Sequence, residues 1–234
     1  MNDRFEAIYQ RCQEQGRSVL TENEARQLLE GWGFPVVAGG EASTAPEAVR
    51  LAESLTYPVV LKVLSPDLPH KTEVGGVKLG LYSSSQVEDA YDKIMQGVKA
   101  ARPGATITGV SVQRQIREEL PLILGALQDD SFGPVVMFGL GGIYAEFIGD
   151  VSFRLAPLDH LSALDFLADA RCYPLLTGAR NRPQADLDYL ASYLVRLGEI
   201  VRGEPRLREV EMNPFSLTLP SEGVALDALI ALNL

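Results

Sequence analysis

Residues 57–81 read YPVVLKVLSPDLPHKTEVGGVKLGL, which divides into an apolar run, a polar loop and a second apolar run. The unbroken apolar character of residues 57–64 predicts a strand buried on both faces. Val77 to Leu81 predicts the next strand. In the loop between the two strands, prolines restrict the backbone at the start and glycines make it more flexible at the end. Strands of this kind with helical patterns on either side predict an α/β (α+β) fold.

Helices and strands alternate around this stretch and predict a first lobe over residues 20–112, preceded by a helix within residues 1–19. The other elements of this part are a helix behind a capping box of Thr21 and Glu24, a strand over 34–37, a helix over 46–55, and a helix capped by Ser85 and Glu88.

The rest of the chain predicts a second lobe over residues 113–234. A strand near 107–113 leads into it, and its elements include strands near 122–126 and 135–138, a long helix that Pro183 opens, and a closing hairpin. Several strands in succession suggest a mostly antiparallel sheet. Two lobes, each a sheet with helices and joined without a long linker, predict a cleft between them that binds a small ligand.

The composition is typical of a globular protein and not of a membrane or nucleic-acid-binding one. The 234 residues are 46% hydrophobic, and the longest apolar stretch, 134–145, is shorter than the roughly 20 residues of a membrane helix. The net charge of −10 repels phosphate backbones, so we expect no nucleic-acid partner. Cys12 and Cys172 have no paired metal spacing, and the start shows no signal region, so a cytoplasmic location is expected.

Oxygen ligands for a metal ion recur near the C-terminus. If residues 207–213 and 223–227 pair as a hairpin, the two-residue strand period places Glu211 and Asn213 on one face with Asp227 beside them. Carboxylate and amide oxygens suit Mg²⁺, which proteins hold with few carboxylates while water and phosphate oxygens fill the other positions. The alternative is an ordinary surface hairpin whose acidic residues are only solvated.

Two side chains of the opening stretch are candidates for chemistry with an anion. Lys62 lies within an apolar run, where an unpaired ammonium is unfavourable, so it needs an anionic partner or a path to water. The alternative is a structural lysine whose stem packs while its ammonium reaches solvent. His70 lies on the loop, and histidine is able to accept a phosphoryl group near neutral pH. An ordinary surface histidine is the alternative there.

The glycine-rich segment 139–142 follows a predicted strand, so its N–H groups, including those of Gly141 and Gly142, are able to approach an anion closely. The segment lacks the spacing of a Walker or dinucleotide motif, and a plain turn is the alternative. Arg154 and Arg180 are isolated positive residues near apolar segments. Each either clamps phosphate oxygens or pairs with a structural carboxylate.

Four segments, in this order, resemble the ATP-grasp subunit of ADP-forming acyl-CoA synthetases, enzymes related to succinyl-CoA synthetase. They are residues 57–81, residues 132–157 (FGPVVMFGLGGIYAEFIGDVSFRLAP), residues 173–180 and residues 209–214. The resemblance extends from Leu20 to Ile230. It implies an ATP-grasp fold, in which two α+β lobes hold the nucleotide in the cleft between them.

The resemblance also implies ligands for individual residues. Lys62 matches the lysine that contacts nucleotide phosphates, and Gln113 to Ile116 matches the hinge on which the adenine lies. Asn213 and Asp227 match the Mg²⁺ ligands, with Glu211 adjoining them. The implied cofactor is Mg²⁺, with ATP or ADP as the substrate nucleotide.

The implied reaction is acyl-CoA + ADP + phosphate ⇌ acid + CoA + ATP, through an acyl phosphate and a phosphohistidine. His70 matches a loop histidine that carries the phosphoryl group between this nucleotide site and a primary phosphohistidine on a partner chain. Arg154 and Arg180 match positively charged positions of the family. The CoA-binding and acyl-phosphate-forming domains have no counterpart here, so an α subunit, in an α₂β₂ assembly, is the expected partner.

Three positions depart from the family pattern. Arg114 stands in the hinge where an acidic residue is common, and Pro121 stands where a glutamate usually helps to hold the nucleotide. Glu118 and Glu119 are the candidates to replace that glutamate. Asn181 replaces a frequent glycine, a change that asparagine tolerates if the backbone is left-handed.

Two rival functions follow from the same residues. Another ATP-grasp ligase would join a carboxylate to an amine or a different thiol through the same acyl phosphate. A nucleotide-sensing module would bind ADP or ATP without phosphoryl transfer, and Arg114 and Pro121 motivate this alternative. For the acyl-CoA synthetase, the pocket for the acid is expected on the partner chain.

Overall fold

The computed structural model of the chain describes residues 3–68, 71–116, 119–142, 144–145, 149–181, 183–218 and 222–234. It divides into a large unit of Met1–Val36 with Glu118–Leu234 and a small unit of Val37–Arg117. Each unit combines helices with an antiparallel sheet, which confirms the predicted α+β class. The predicted lobe boundaries differ from these units, because all of residues 1–36 belong to the large unit and residues 113–117 to the small one.

The described residues form the following helices and strands. The helices are α1 (Asp3–Gln15), α2 (Glu22–Gly31), α3 (Ala45–Leu55), α4 (Ser84–Ala101), α5 (His160–Asp169), α6 (Tyr173–Leu176) and α7 (Leu187–Gly203), with a 3₁₀ turn at Ala179–Asn181. The strands are β1 (Gly39–Ala42), β2 (Val59–Leu64), β3 (Val77–Leu81), β4 (Gly109–Arg114), β5 (Leu120–Asp129), β6 (Gly133–Leu140), β7 (Val151–Leu155), β8 (Leu207–Thr218), β9 (Glu222–Ala225) and β10 (Ala228–Leu232). In the described ranges, no helix is long and apolar enough to cross a membrane.

The small unit is a four-stranded antiparallel sheet with strand order β1-β4-β2-β3. Leu61 and Val112 point from one face into a core that includes Ile94 of α4. Because side chains alternate along a strand, Lys62 and Ser111 lie on the opposite face. We call this opposite face the polar face of the small sheet.

The large unit is a six-stranded sheet with strand order β10-β8-β5-β6-β7, and β9 joins it by pairing with β8. One face packs against α1, α2, α5 and α7 through a buried core that includes Leu124 and Leu194. Glu211 lies on the other face, because its neighbours in β8, Val210 and Met212, belong to that core.

The strand predicted over residues 34–37 is wrong. Only an isolated bridge between Val36 and Ala225 forms there. Pro35 has no N–H to donate to a strand ladder, so regular pairing cannot continue through it. Phe34 packs against Tyr193 of α7 with ring centres 5.3 Å apart, so this segment joins the helical side of the large unit.

Two helix starts were also predicted at the wrong residue. The N-cap of α4 is Ser83, whose Oγ accepts from the Gln86 N–H, and not Ser85. The N-cap of α7 is Asp186, and Pro183 lies before the helix. At α4 three serines stand side by side, and the hydrogen bond that forms selects Ser83. At α7 the Asp186 side chain accepts from the Tyr189 N–H, so the N-cap lies three residues after Pro183.

The C-terminal hairpin differs from the prediction because Pro214 lies within a strand. Strand β8 continues through Pro214 to Thr218 and pairs with both β9 and β10. A bulge in its pairing with β5 places Asn213 and Pro214 opposite the single residue Ile123. Asp227 lies in the bend between β9 and β10. The bulge and the bend together position the candidate metal ligands.

Candidate nucleotide and metal site

The three predicted metal ligands, Glu211, Asn213 and Asp227, lie together in the large unit, and we call them the acidic cluster. The Asn213 N–H donates to the Asp227 carbonyl oxygen at 3.2 Å, which holds the bend before β10 beside β8. The Asn213 side chain hydrogen-bonds the Glu211 carboxyl group. The Asp227 Oδ1 accepts from the Ala228 N–H at 3.0 Å, so this carboxylate is oriented by the backbone.

The electrostatics of the acidic cluster favour a cation. Burial raises the pKa of Glu211 above its usual value, while the hydrogen bond with Asn213 lowers that pKa. The carboxylates of Glu209 and Asp227 raise the pKa further by repulsion. A bound cation would stabilise the ionised carboxylates and relieve this repulsion.

The donor chemistry of the acidic cluster fits a hard divalent cation. Two carboxylates and an amide oxygen are the donors that Mg²⁺ prefers. In the described part of the chain, no three His, Cys, Asp or Glu side chains form a metal-binding group, so the cluster depends on the Asn213 amide. The Asn213 Oδ1 accepts one hydrogen bond, from the Gly142 N–H at 2.7 Å. An amide oxygen has a second lone pair, which remains for a cation.

The glycine-rich turn after β6 makes its hydrogen bonds within the protein. The Gly141 N–H donates to the Pro121 carbonyl oxygen at 3.0 Å, and the Gly142 N–H donates to Asn213. A Cβ at position 141 would lie 2.2 Å from the Leu122 carbonyl oxygen, which explains the glycine there. The prediction that these two N–H groups face an anion is therefore not what the structure shows, because the turn packs back onto β5 and β8.

Lys62 lies on the polar face of the small sheet. It is half-buried and stands opposite Ser111 of β4 and Val77 of β3. Gln113 on the same face is 3% exposed, and its Nε2 donates to the Ser111 Oγ at 3.3 Å. Val60 is buried on this face too, so β2 is buried on both faces near its start, as predicted.

The segment after β4 is held by Gln115, whose long-range contacts sequence reasoning missed. The Gln115 N–H donates to the Pro58 carbonyl oxygen at 2.9 Å, and its Oε1 accepts from the Gly80 N–H at 2.6 Å. These bonds fix the backbone between Arg114, which is exposed, and Ile116, which is half-buried. The partner glycine is 35 positions away, so no local pattern signals the contact.

The two predicted phosphate-binding arginines have different environments. Arg154 on β7 pairs with the Asp169 carboxylate of α5, and its guanidinium carbon lies 5.3 Å from the centre of the Phe166 ring. This is the structural alternative, because the guanidinium joins β7 to α5. Arg180 is exposed and has a left-handed backbone, with φ of +55°. Asn181 has φ of +61°, the conformation under which asparagine was expected to replace glycine.

Comparison with known protein families shows which family the chain belongs to. Residues 11–232, nearly its whole length, match a family described as an ATP-grasp domain. This chain belongs to the ATP-grasp family. The ATP-grasp chain is 36% identical over 209 residues to the β subunit of ADP-forming acetate–CoA ligase I of Pyrococcus furiosus, covering 89% of this chain and 90% of that protein. It is 34% identical to the β subunit of ligase II of the same organism, covering 93% of each.

Some relatives of the ATP-grasp chain are longer. It is 39% identical to ADP-forming acetate–CoA ligase I of Archaeoglobus fulgidus over 91% of its own length but spans only 31% of that protein. The matched domain is therefore one part of a longer polypeptide in that relative.

Solved structures confirm the predicted ATP-grasp fold. Acetyl-coenzyme A synthetase 1 of Ca. Korarchaeum cryptofilum, in complex with coenzyme A, Ca-AMPCP and HgCl+, matches with a TM-score of 0.92 and 38% identity. The match covers 97% of the ATP-grasp chain and 99% of that chain. A second structure of that protein contains coenzyme A and Mg-AMPPCP, with a phosphohistidine segment pointing towards the nucleotide binding site, and matches with a TM-score of 0.84 and 35% identity over 97% and 99% of the two chains.

The remaining predicted positions of the ATP-grasp chain fall in two groups. His70 and Glu118 lie outside the described residues. Pro121, at the start of β5, stands opposite Ser216 of β8. The Ser216 Oγ is buried without a hydrogen-bond partner in the described part of the chain, and a proline side chain offers none. Glu119, the other candidate to replace the usual glutamate, is exposed.

Proposed function

We propose that this chain is the nucleotide-binding subunit of an ADP-forming acyl-CoA synthetase. It transfers a phosphoryl group reversibly between Mg²⁺-bound ADP or ATP and a phosphohistidine, and so couples cleavage of an acyl-CoA thioester to formation of ATP. The observation that carries the proposal is the acidic cluster, whose Glu211 has a raised pKa, in a chain that covers 90% of a β subunit of this enzyme class.

The acidic cluster is the proposed Mg²⁺ site. Glu211, Asn213 and Asp227 supply oxygen donors, and the bound cation neutralises phosphate oxygens of the nucleotide. Lys62 supplies the positive charge for the nucleotide phosphates, and the segment Gln113 to Ile116 contacts the base. The Gln115 hydrogen bonds support this last role, because they fix the backbone of the segment.

The two arginines receive different roles in the proposal. Arg180 contacts a phosphoryl group, and its support is an exposed guanidinium on a backbone that arginine rarely adopts. Arg154 stabilises the contact of β7 with α5, since Asp169 and Phe166 already occupy its guanidinium.

The proposed partner is an α subunit that carries the CoA site and the primary phosphohistidine, in an α₂β₂ assembly. The support is the Archaeoglobus relative, of which this chain spans 31%, and the Korarchaeum structure that contains coenzyme A and a phosphohistidine segment pointing towards the nucleotide binding site. His70 is the proposed second carrier: its phosphoryl group passes to ADP, which leaves a free histidine and ATP. A cytoplasmic location stays a prediction.

Calorimetric titration of the chain with Mg-ADP tests the nucleotide site. We expect saturable binding that the double variant Asn213→Ala/Asp227→Ala loses and that the control Glu222→Gln, on the exposed start of β9, retains. Equal binding by the double variant would remove the acidic cluster from the proposal.

Phosphoryl transfer is tested with the α subunit present. His70→Ala should abolish ATP synthesis from acyl-CoA, ADP and phosphate while Mg-ADP binding stays near the wild-type value. Retained synthesis would exclude His70 as carrier. Binding of Mg-ADP by the wild type without any transfer, even with the α subunit, would favour the nucleotide-sensing alternative.

A further inference from the structure

One hydrogen bond decides which way the Asn213 amide points. A backbone N–H only donates, so the side-chain atom 2.7 Å from the Gly142 nitrogen must be the oxygen Oδ1. The Gly142 N–H therefore selects the orientation in which the oxygen of Asn213 is held at the turn.

The turn that supplies this N–H is held tightly. The Gly141 N–H donates to the Pro121 carbonyl oxygen at 3.0 Å. A Cβ at Gly141 would lie 2.2 Å from the Leu122 carbonyl oxygen, and one at Gly139 would lie 1.8 Å from the Asp150 carbonyl oxygen. Both close contacts are with backbone atoms, which cannot move aside as a flexible side chain does. The position of the Gly142 N–H is thus set by the packing of the strand ends.

Gly142 itself is crowded much less. Its φ is +58°, a left-handed conformation that asparagine also adopts, and the nearest atom to a Cβ there is the Pro121 Cβ at 3.8 Å. Asparagine at position 142 would keep the N–H and the backbone conformation. Positions 141 and 142 therefore provide a disruptive substitution and a matched control one residue apart.

We propose that the Gly141–Gly142 turn is a positioning element of the cation site: it presents the Asn213 oxygen to the metal and does not contact phosphate oxygens itself. The inference rests on the proposed function, since it takes the acidic cluster as the Mg²⁺ site. Both N–H groups of the turn already have acceptors inside the protein. Hydrogen bonds that orient a metal ligand from outside its coordination sphere contribute about 10- to 100-fold to metal affinity.

Mn²⁺ binding tests the proposal, measured by electron paramagnetic resonance on the full chain in the presence and absence of ADP. Gly141→Ala should weaken Mn²⁺ binding by about 10-fold, because the turn must shift away from Leu122 and withdraw its N–H from Asn213. Gly142→Asn should stay within about 2-fold of the wild type, because it keeps the N–H. ADP binding without metal should be unchanged in Gly141→Ala, which a direct phosphate contact by the turn would not allow.

Coupling to Asn213 separates this inference from the proposed function. If the turn acts through Asn213, Gly141→Ala should have no further effect on Mn²⁺ affinity in the Asn213→Ala background. The inference would be overturned if the two substitutions reduced Mn²⁺ affinity independently, so that the losses multiplied in the double variant. It would also be overturned if Gly141→Ala kept the wild-type affinity while Asn213→Ala bound weakly. In either case the proposed metal site would be retained. An unchanged affinity in Asn213→Ala would instead overturn the proposed metal site.

Hydrogen exchange of the Gly142 amide gives a second test that does not depend on the folding of Gly141→Ala. The amide should be protected in the wild type and in Asn213→Asp, whose carboxylate is also an acceptor, and it should exchange faster in Asn213→Ala. Equal protection in Asn213→Ala would show that the Gly142 N–H does not depend on Asn213 and would overturn the proposal.

Discussion

Buried carboxylates around α1 and the acidic cluster lie in the same large unit but have opposite electrostatic surroundings. Burial acts to raise the pKa of Glu24. The pKa nevertheless lies below its usual value, because the Arg17 guanidinium is 2.7 Å away and the Thr21 backbone and side chain form hydrogen bonds with the carboxylate. The guanidinium of Arg206 likewise lowers the pKa of Glu204. For Glu211, burial and neighbouring carboxylates raise the pKa instead. We call Arg17–Glu24 and Arg206–Glu204 the α1 ion pairs.

The difference separates charge that stabilises the fold from charge kept for a ligand. In the α1 ion pairs an arginine of the same chain neutralises each acid. Among the described residues that act on the pKa of Glu211, Asn213 is neutral, and Glu209 and Asp227 are acidic. Such repulsion between carboxylates destabilises the folded state on its own. A bound cation offsets the repulsion. The direction of the pKa shift thus separates Glu24 and Glu204 from Glu211.

The largest expected effect is on the α1 ion pairs. Glu24→Ala should lower the free energy of unfolding by about 3 kcal/mol, because it removes the capping-box acceptor and leaves Arg17 without its buried partner. Urea denaturation measures this change. The control Glu30→Ala, whose carboxylate lies 3.9 Å from Arg26 and is exposed, should change stability by less than about 0.5 kcal/mol. Similar losses in both variants would contradict the distinction.

A change in the acidic cluster should act on binding instead. Asp227→Asn should weaken Mn²⁺ binding by about 10-fold, or about 1.4 kcal/mol, because it replaces a charged ligand with a neutral one. The free energy of unfolding without metal should not fall. Calorimetry and urea denaturation of the same variant measure the two quantities. A loss of stability comparable to that of Glu24→Ala would indicate that Asp227 is structural.

The pH dependence of stability should follow the α1 ion pairs. Since the pKa of Glu24 is lowered in the folded state, its contribution is present above the usual glutamate pKa of about 4.3 and is lost as pH falls through the lowered value. The wild type should therefore lose stability in this acid range more steeply than Glu24→Gln. Urea midpoints at a series of pH values measure the slopes. Parallel curves would contradict the assignment.

Glu211 should show the reverse sign. A carboxyl group with a raised folded pKa contributes stability below the unfolded pKa and loses it as pH rises through the folded pKa. At neutral pH without metal, Glu211→Gln should therefore raise the free energy of unfolding, by roughly 0.5 kcal/mol, and should weaken Mn²⁺ binding. A destabilised variant with unchanged Mn²⁺ affinity would place Glu211 with the structural acids.

The smallest effect is expected from the two arginines. Arg154→Met should lower stability by about 0.5 kcal/mol without changing Mg-ADP affinity, because its ion pair with Asp169 is partly exposed. Arg180→Met should leave stability within about 0.5 kcal/mol and reduce phosphoryl transfer in the complex. Thermal unfolding and a transfer assay measure both variants. Equal transfer rates for the two variants would contradict the separation of their roles.

Periodic features of the sequence predicted much of this arrangement. The two-residue period placed Glu211 and Asn213 on one face, and the structure agrees, because Val210 and Met212 point into the core. Strand spacing also predicted Asp227 beside Asn213, which their backbone hydrogen bond confirms. Periodicity works here because the apolar face of each sheet must be buried against helices, and that leaves the polar residues on the other face.

Contacts between distant segments escaped prediction. The hydrogen bond from Gly142 to Asn213 joins residues 71 positions apart, and no local pattern signals it. Glycines after a strand suggested an anion-binding loop, but packing against Leu122 and Pro121 directs their N–H groups inward. The bulge at Asn213 and Pro214 was missed for a similar reason, because it depends on the register with β5.

The small unit is inserted in sequence within the large one, and this order affects synthesis on the ribosome. The Leu20 N–H donates to the Ile230 carbonyl oxygen at 3.0 Å, and the Leu232 N–H donates to the Ser18 carbonyl oxygen at 2.7 Å. Helices α1 and α2 therefore cannot complete their packing until β10 has been synthesised. The small unit is contiguous in sequence and can fold earlier. The acidic cluster, which needs β8 and the bend before β10, assembles last, so a stalled or truncated nascent chain carries no cation site.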